Sequence, residues 1–176
     1  MKKIIGLFFA VLFSAGLYAQ EGVIKFLGIP VDGTKQEMIQ KLKSKGFTYD
    51  QQKDILEGEF NGERVAMGIQ TQNNKVWRLT IVYGRDLNDE QAKRWFNRLV
   101  AQFENNSKYT PYKESQTIDE NEDISYAISV YGRPYEALFR SETGGVAWFT
   151  IMKTLDVYAI LMFYESPKNE ANGSDL

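Results

Sequence analysis

Apolar positions along the chain follow two periods. After Thr34-Lys35-Gln36-Glu37, which has the form of a capping box, Met38, Ile39 and Leu42 recur at helical spacing, and Gly46 suits the left-handed residue that ends such a helix. A second, heavier stripe follows Asn88-Asp89-Glu90-Gln91. Ala92, Trp95, Phe96, Leu99, Val100 and Phe103 stand at i, i+3, i+4, i+7, i+8 and i+11, and Asn105 and Asn106 close the run. The early acids sit where the helix dipole favours them. The pattern predicts a helix over 88–104 with Trp95, Phe96 and Leu99 buried and with Lys93 on the dispensable polar side.

Elsewhere the period shortens to two. Residues 54–60 and 63–72 flank Asn61-Gly62, a strong hairpin signal because both positions tolerate positive φ. Further strands are expected over 76–83, 124–131, 135–141, 145–153 and 157–164, and their short connections imply an antiparallel meander. Segments 76–83 and 157–164 match in apolar character at six of eight places. Each follows a hairpin, and each such stretch begins with a capped helix. The fold expected is therefore α+β, two helix-plus-antiparallel-sheet units over 20–85 and 86–176, with the helices on one face of the sheet.

Strand alternation then assigns faces. If Trp77, Leu79, Ile81 and Tyr83 meet the helices, so do Tyr158, Ile160, Met162 and Tyr164. Arg78, Thr80, Val82, Ala159, Leu161 and Phe163 fall on the far side. Segment 157–164 is apolar on both faces, although a sheet covered on one side needs only one such face. The six far-face residues are thus the candidate binding residues, with Leu161 and Phe163 expected to be partly exposed or covered by a second chain.

The first residues obey a different physics. Lys2 and Lys3, the apolar run 4–13 and the small residues Ser14, Ala15, Gly16 and Ala19 have the form of a secretory signal peptide over 1–19, with the mature chain expected to begin at Gln20. Export to the periplasm or the medium is the expected localisation, with no membrane span left after processing. Removing Lys2 and Lys3 makes the formal charge of −2 more negative by two. That argues against nucleic acid and leaves a protein or a cell-envelope component as the expected partner.

The 176 residues contain no Cys and no His, so the chain cannot build disulfides, thiolate or imidazole metal sites, or a His-dependent nucleophile. A lipoprotein anchor would also need a Cys at the cleavage point. Asp119-Glu120-Asn121-Glu122-Asp123 begins like a calcium loop, but Ile124 stands where Gly is required and Val130 where a bidentate Glu is required, so the segment reads as a solvated acidic loop. No catalytic residue, metal or cofactor is assigned. With 23 acids, a pair able to cleave a glycosidic bond is the one catalytic option left open.

The run Val31-Asp32-Gly33-Thr34-Lys35-Gln36-Glu37-Met38, with Leu42 and Gly46, resembles the helix entry of the small outer-membrane-assembly lipoproteins and of the β-lactamase-inhibitor-like fold. It departs from them in lacking the lipid-attachment Cys and the disulfides. That resemblance implies helices on one face of an antiparallel sheet, often in tandem. Phe26-Leu27-Gly28-Ile29-Pro30, the pair Tyr135-Glu136-Ala137-Leu138-Phe139 and Val146-Ala147-Trp148-Phe149, and the ending from Asn169 to Leu176 resemble a family of uncharacterised exported bacterial proteins, which implies export and brings no activity. The expected function is a non-catalytic binding or envelope-assembly module acting through a sheet face. The alternative is a carboxylate-dependent hydrolase of glycans or cell-wall polymers.

Overall fold

The computed structural model describes residues 22–114 and 116–169. The expected signal peptide, its cleavage point and residues 170–176 lie outside the described residues. A small hairpin of β1 (Lys25–Phe26) and β2 (Ile29–Pro30) precedes α1 (Lys35–Lys43), and β3 (Thr48–Asp50), β4 (Ile55–Phe60), β5 (Glu63–Gln72) and β6 (Lys75–Leu87) follow. Next come α2 (Asp89–Glu104), β7 (Tyr109–Pro111), α3 (Ile124–Tyr131), β8 (Glu136–Ser141), β9 (Val146–Thr154) and β10 (Val157–Glu165). Strands β3 to β10 form one antiparallel sheet in the order β3-β4-β5-β6-β10-β9-β8-β7. The sheet is open, with β3 and β7 at its edges, so it does not close on itself to bury both faces.

Local chemistry accounts for the elements that the sequence marks clearly. Both long helices carry complete capping boxes, Thr34 with Glu37 and Asn88 with Gln91. At the β4–β5 turn Asn61 and Gly62 take φ of 56° and 77°, as the hairpin requires. The inner face packs Val65, Met67, Leu79, Ile81, Tyr83, Ile160, Met162 and Phe149 under Met38, Leu42, Phe96, Leu99 and Phe103 of the helices in one continuous core. The chain is thus α+β, helices over a large antiparallel sheet.

Four expectations change. Residues 124–131 form a helix, not a strand. The run Ile-Ser-Tyr-Ala-Ile-Ser-Val-Tyr is rich in strand formers, but Asp123 caps its start by accepting from the Tyr126 amide and Gly132 ends it at φ 60°. Ile124 and Ala127 reach the core at helical spacing, and Lys153 Nζ donates to Ser125 Oγ and Ser129 Oγ at 2.9 and 2.7 Å, one turn apart. Tertiary contact overrides propensity there.

Trp77 does not face the helices. In the β5–β6 ladder Gln70 pairs with Arg78 and Thr71 with Val76, so Trp77 is the extra residue of a bulge. Its ring lies under the Arg78 guanidinium on the far side, 4.1 Å from the ring centre.

Trp95 is only partly buried. It lies at the flank of α2, against Tyr83 at 5.5 Å between ring centres, with the Arg98 guanidinium 4.8 Å above it.

Lys93 is not dispensable. Its Nζ donates to the carbonyls of Glu120 and Glu122 at 2.8 and 2.9 Å and pairs with Asp89 at 3.1 Å, with the side chain 12% exposed. It ties the acidic loop to α2. The loop's own oxygens are engaged locally, since Asp119 accepts from the Asn121 amide and Glu122 accepts from Tyr135 and Arg133. Lys93→Ala is therefore expected to lower stability by about 1.5–3 kcal/mol, the range for charge-assisted bonds whose carbonyl partners are left behind. Urea denaturation followed by circular dichroism measures it.

Candidate functional site

All six predicted far-face residues come together on adjacent strands, β6 and β10. Thr80 pairs with Phe163 and Val82 with Leu161, while Ala159 lies beside a register shift and pairs only with Met152 of β9. All six are partly exposed. The registers extend the five other than Ala159 into three rows across the sheet. One row runs Gln70, Arg78, Glu165, Val146, Arg140; the next Gly68, Thr80, Phe163, Trp148, Leu138; the third Ala66, Val82, Leu161, Thr150, Glu136. With strands about 4.8 Å apart and same-face residues about 6.7 Å apart, this patch measures roughly 19 by 13 Å.

At its centre is a plate of flat groups. The rings of Trp148 and Phe163 stack with centroids 3.9 Å apart and planes 15° from parallel. The Arg78 guanidinium lies over Trp77 and 5.5 Å from the Phe163 ring. Glu165 Oε1 joins the two ends of the plate, accepting from Arg78 at 2.7 Å and from Trp148 Nε1 at 2.8 Å. Arg78 Nε is shielded from solvent and has no hydrogen-bond partner among the described residues. Thr80 Oγ1 donates to Gln70 Oε1 at 3.1 Å on the polar flank. The side chains are thus held in place before anything binds, which lowers the entropy lost on association.

Sequence reasoning missed Trp77, Trp148 and Glu165. Trp148 was accessible in principle, because a hairpin turning at Leu155-Asp156 puts it opposite Phe163. Trp77 was not, because only the bulge turns it outward.

The displaced acidities lie elsewhere. Hydrogen bonding by the Thr34 backbone lowers Glu37, the Lys53 backbone amide lowers Asp50, and the Lys35 ammonium, aided by Tyr49, lowers Asp54. These three carboxylates belong to caps and turns on the α1 side, and none is raised as the acid of a glycan-cleaving pair would be. Burial pushes the Tyr135 phenol up to about 12, helped by its bond to Glu122.

No helix among the described residues is long and apolar enough to cross a membrane. A scan against protein-family models, a search of curated proteins and a search of solved structures each found no match to this chain.

Proposed function

We propose that this chain is an exported, non-catalytic binding module that recognises a protein partner through the open face of its sheet. The observation that carries the reading is the preassembled plate of Trp77, Arg78, Phe163 and Trp148 locked by Glu165. Trp and Arg dominate the residues that supply most protein–protein binding energy. Around them Val82, Leu161 and Leu138 are apolar, and Gln70, Arg140 and Glu136 form a polar margin, which is the anatomy of an interface centre and its rim. At about 250 Å² the patch is smaller than the ~800 Å² that a stable interface buries on each side, so the partner must also engage the surrounding rim.

The same reading takes the chain as two related units, 20–85 and 86–176. Each helix, α1 and α2, is followed by four strands of the sheet, and the last strands of the two sets, β6 and β10, meet at its centre. Ile81 pairs with Met162, its counterpart when 76–83 is laid on 157–164, and the flanking pairs Leu79 with Tyr164 and Tyr83 with Ile160 exchange about that point. This supports a local two-fold relation between units, as two copies of one fold sharing a sheet would have. Export and the resemblance to exported envelope proteins complete the proposal.

The test places a photo-crosslinking amino acid at Leu161 and, separately, at the exposed Gln40 of α1, in cells that export the protein. The expected outcome is an adduct from position 161 alone, with a single different polypeptide identified by mass spectrometry, lost when Phe163→Ser is added while circular dichroism is unchanged. Equal adducts from both positions, no adduct, or an adduct only with a second copy of the chain would overturn it.

A further inference from the structure

On the opposite side of the sheet the core is incomplete. A cavity of about 660 Å³ opens between the β1–β2 hairpin, the tip of the β4–β5 hairpin, the C-terminal half of α2 and the start of β7. That volume lies within the range of small-molecule sites. Its walls are aromatic: Phe26 lies 4.9 Å from Phe60 and 5.0 Å from Tyr164, and Phe103 lies 4.7 Å from Tyr109, all between ring centres.

Tyr164 sets the cavity apart from a packing defect. It lines the cavity and is 5% exposed, and its hydroxyl has no hydrogen-bond partner among the described residues. Unlike Arg78 Nε, this hydroxyl is not shielded, so it opens onto the cavity and is available to an acceptor bound there. The Tyr109 hydroxyl, on the same wall, is likewise without a hydrogen-bond partner among the described residues, whereas Asn61 Nδ2 donates to Gln102 Oε1 at 2.7 Å and to Tyr83 at 3.2 Å, joining the hairpin tip to α2. At the mouth Lys25 and Lys108 are balanced by Glu59 and Glu142, so the rim selects for neither sign of charge.

We infer that this cavity is a binding site for a small uncharged aromatic molecule, two or three rings in size, whose carbonyl or ether oxygen accepts a hydrogen bond from the Tyr164 hydroxyl. The aromatic walls offer edge and face contacts to planar rings. Burial holds the Tyr164 and Tyr109 phenols well on the protonated side, so the inner end presents a neutral donor and no counter-charge for an ionised ligand. The site is separate from the sheet face and stands or falls apart from it.

The probe is 6-propionyl-2-(dimethylamino)naphthalene, whose emission reports polarity and hydrogen bonding at its carbonyl, titrated against the intact purified protein. Saturable one-to-one binding with blue-shifted emission is expected. Tyr164→Phe, which removes one oxygen and keeps the ring, is expected to weaken binding about 5-fold, the usual worth of one such bond. The deoxygenated 6-propyl analogue, used as a competitor, should displace the probe with equal affinity in both proteins. Gln102→Trp, at an exposed helix position on the cavity wall, puts a bulky ring into the opening and should abolish binding while circular dichroism is unchanged. Equal probe affinity in the wild type and Tyr164→Phe would overturn the role of the hydroxyl. Absence of saturable binding, or binding indifferent to Gln102→Trp, would overturn the site.

Discussion

Replacing Phe96 by Ala is expected to remove about 3–5 kcal/mol of stability, the largest single loss available on α2. The Phe96 ring is wholly buried and meets Phe149 of β9 edge to face at 5.1 Å between centres. Cutting it back to Cβ leaves a void between α2 and the sheet, and the helix cannot settle into it while Leu99, Val100 and Phe103 hold the rest of the same face. For a domain of this size the loss corresponds to roughly 6–20 °C in Tm, against a total stability of about 5–15 kcal/mol. Trp95→Ala, one residue away at the partly buried flank, should cost clearly less despite the larger side chain removed. Thermal and urea unfolding of the two variants measure the contrast. Equal losses would mean that α2 is rotated about its axis from the position described.

Gly145→Ala is expected to cost about 1–3 kcal/mol through crowding alone. A Cβ at Gly145 would stand 2.6 Å from Ile24 Cβ, 2.7 Å from the Ile24 nitrogen and 2.9 Å from the Glu165 carbonyl oxygen. Two of these neighbours are backbone, and they are pinned. Ile24 N donates to the buried Ser166 Oγ at 3.2 Å, its carbonyl accepts from the Val31 amide at 2.8 Å, and Thr143 Oγ1 holds the Val23 carbonyl at 2.7 Å. The segment at 22–24 must therefore move off the β8–β9 turn, or the β9–β10 ladder must bend. Gly68→Ala supplies the comparison. That glycine lies on the open face of β5 with only Gln70 Nε2 near, at 3.4 Å, so added strand propensity is expected to leave stability unchanged or slightly higher. Chemical denaturation of both variants checks the pair. A silent Gly145→Ala would show that segment 22–24 is not docked on the turn.

Much of the fold could be read from residue order, because its signals are local. Thr34 with Glu37, Asn88 with Gln91, and Asn61-Gly62 each satisfy or position their own backbone within four residues, so no distant contact has to be known. The stripe of Ala92, Phe96, Leu99, Val100 and Phe103 and the alternation through Leu79, Ile81, Tyr83, Ile160, Met162 and Tyr164 marked the inner faces for the same reason, since periodicity is a property of the segment itself. From that alternation Arg78, Thr80, Val82, Ala159, Leu161 and Phe163 could be placed on one far face before their strands were known to be neighbours.

What required the tertiary structure was every feature that depends on residues distant in the chain. That β6 and β10 lie side by side is a choice among strand edges that no local pattern makes. Trp77 turns outward only because the β5–β6 ladder carries a bulge, and Trp148 and Glu165 complete the plate only because β9 and β10 pair in one register. Residues 124–131 have the composition of a strand and become α3 because Asp123, Gly132 and a lysine from β9 satisfy the helical alternative. The cavity at Tyr164 has no counterpart in any pattern of residues. It is the space left where two hairpins and a helix end meet, and its volume depends on the distances between them.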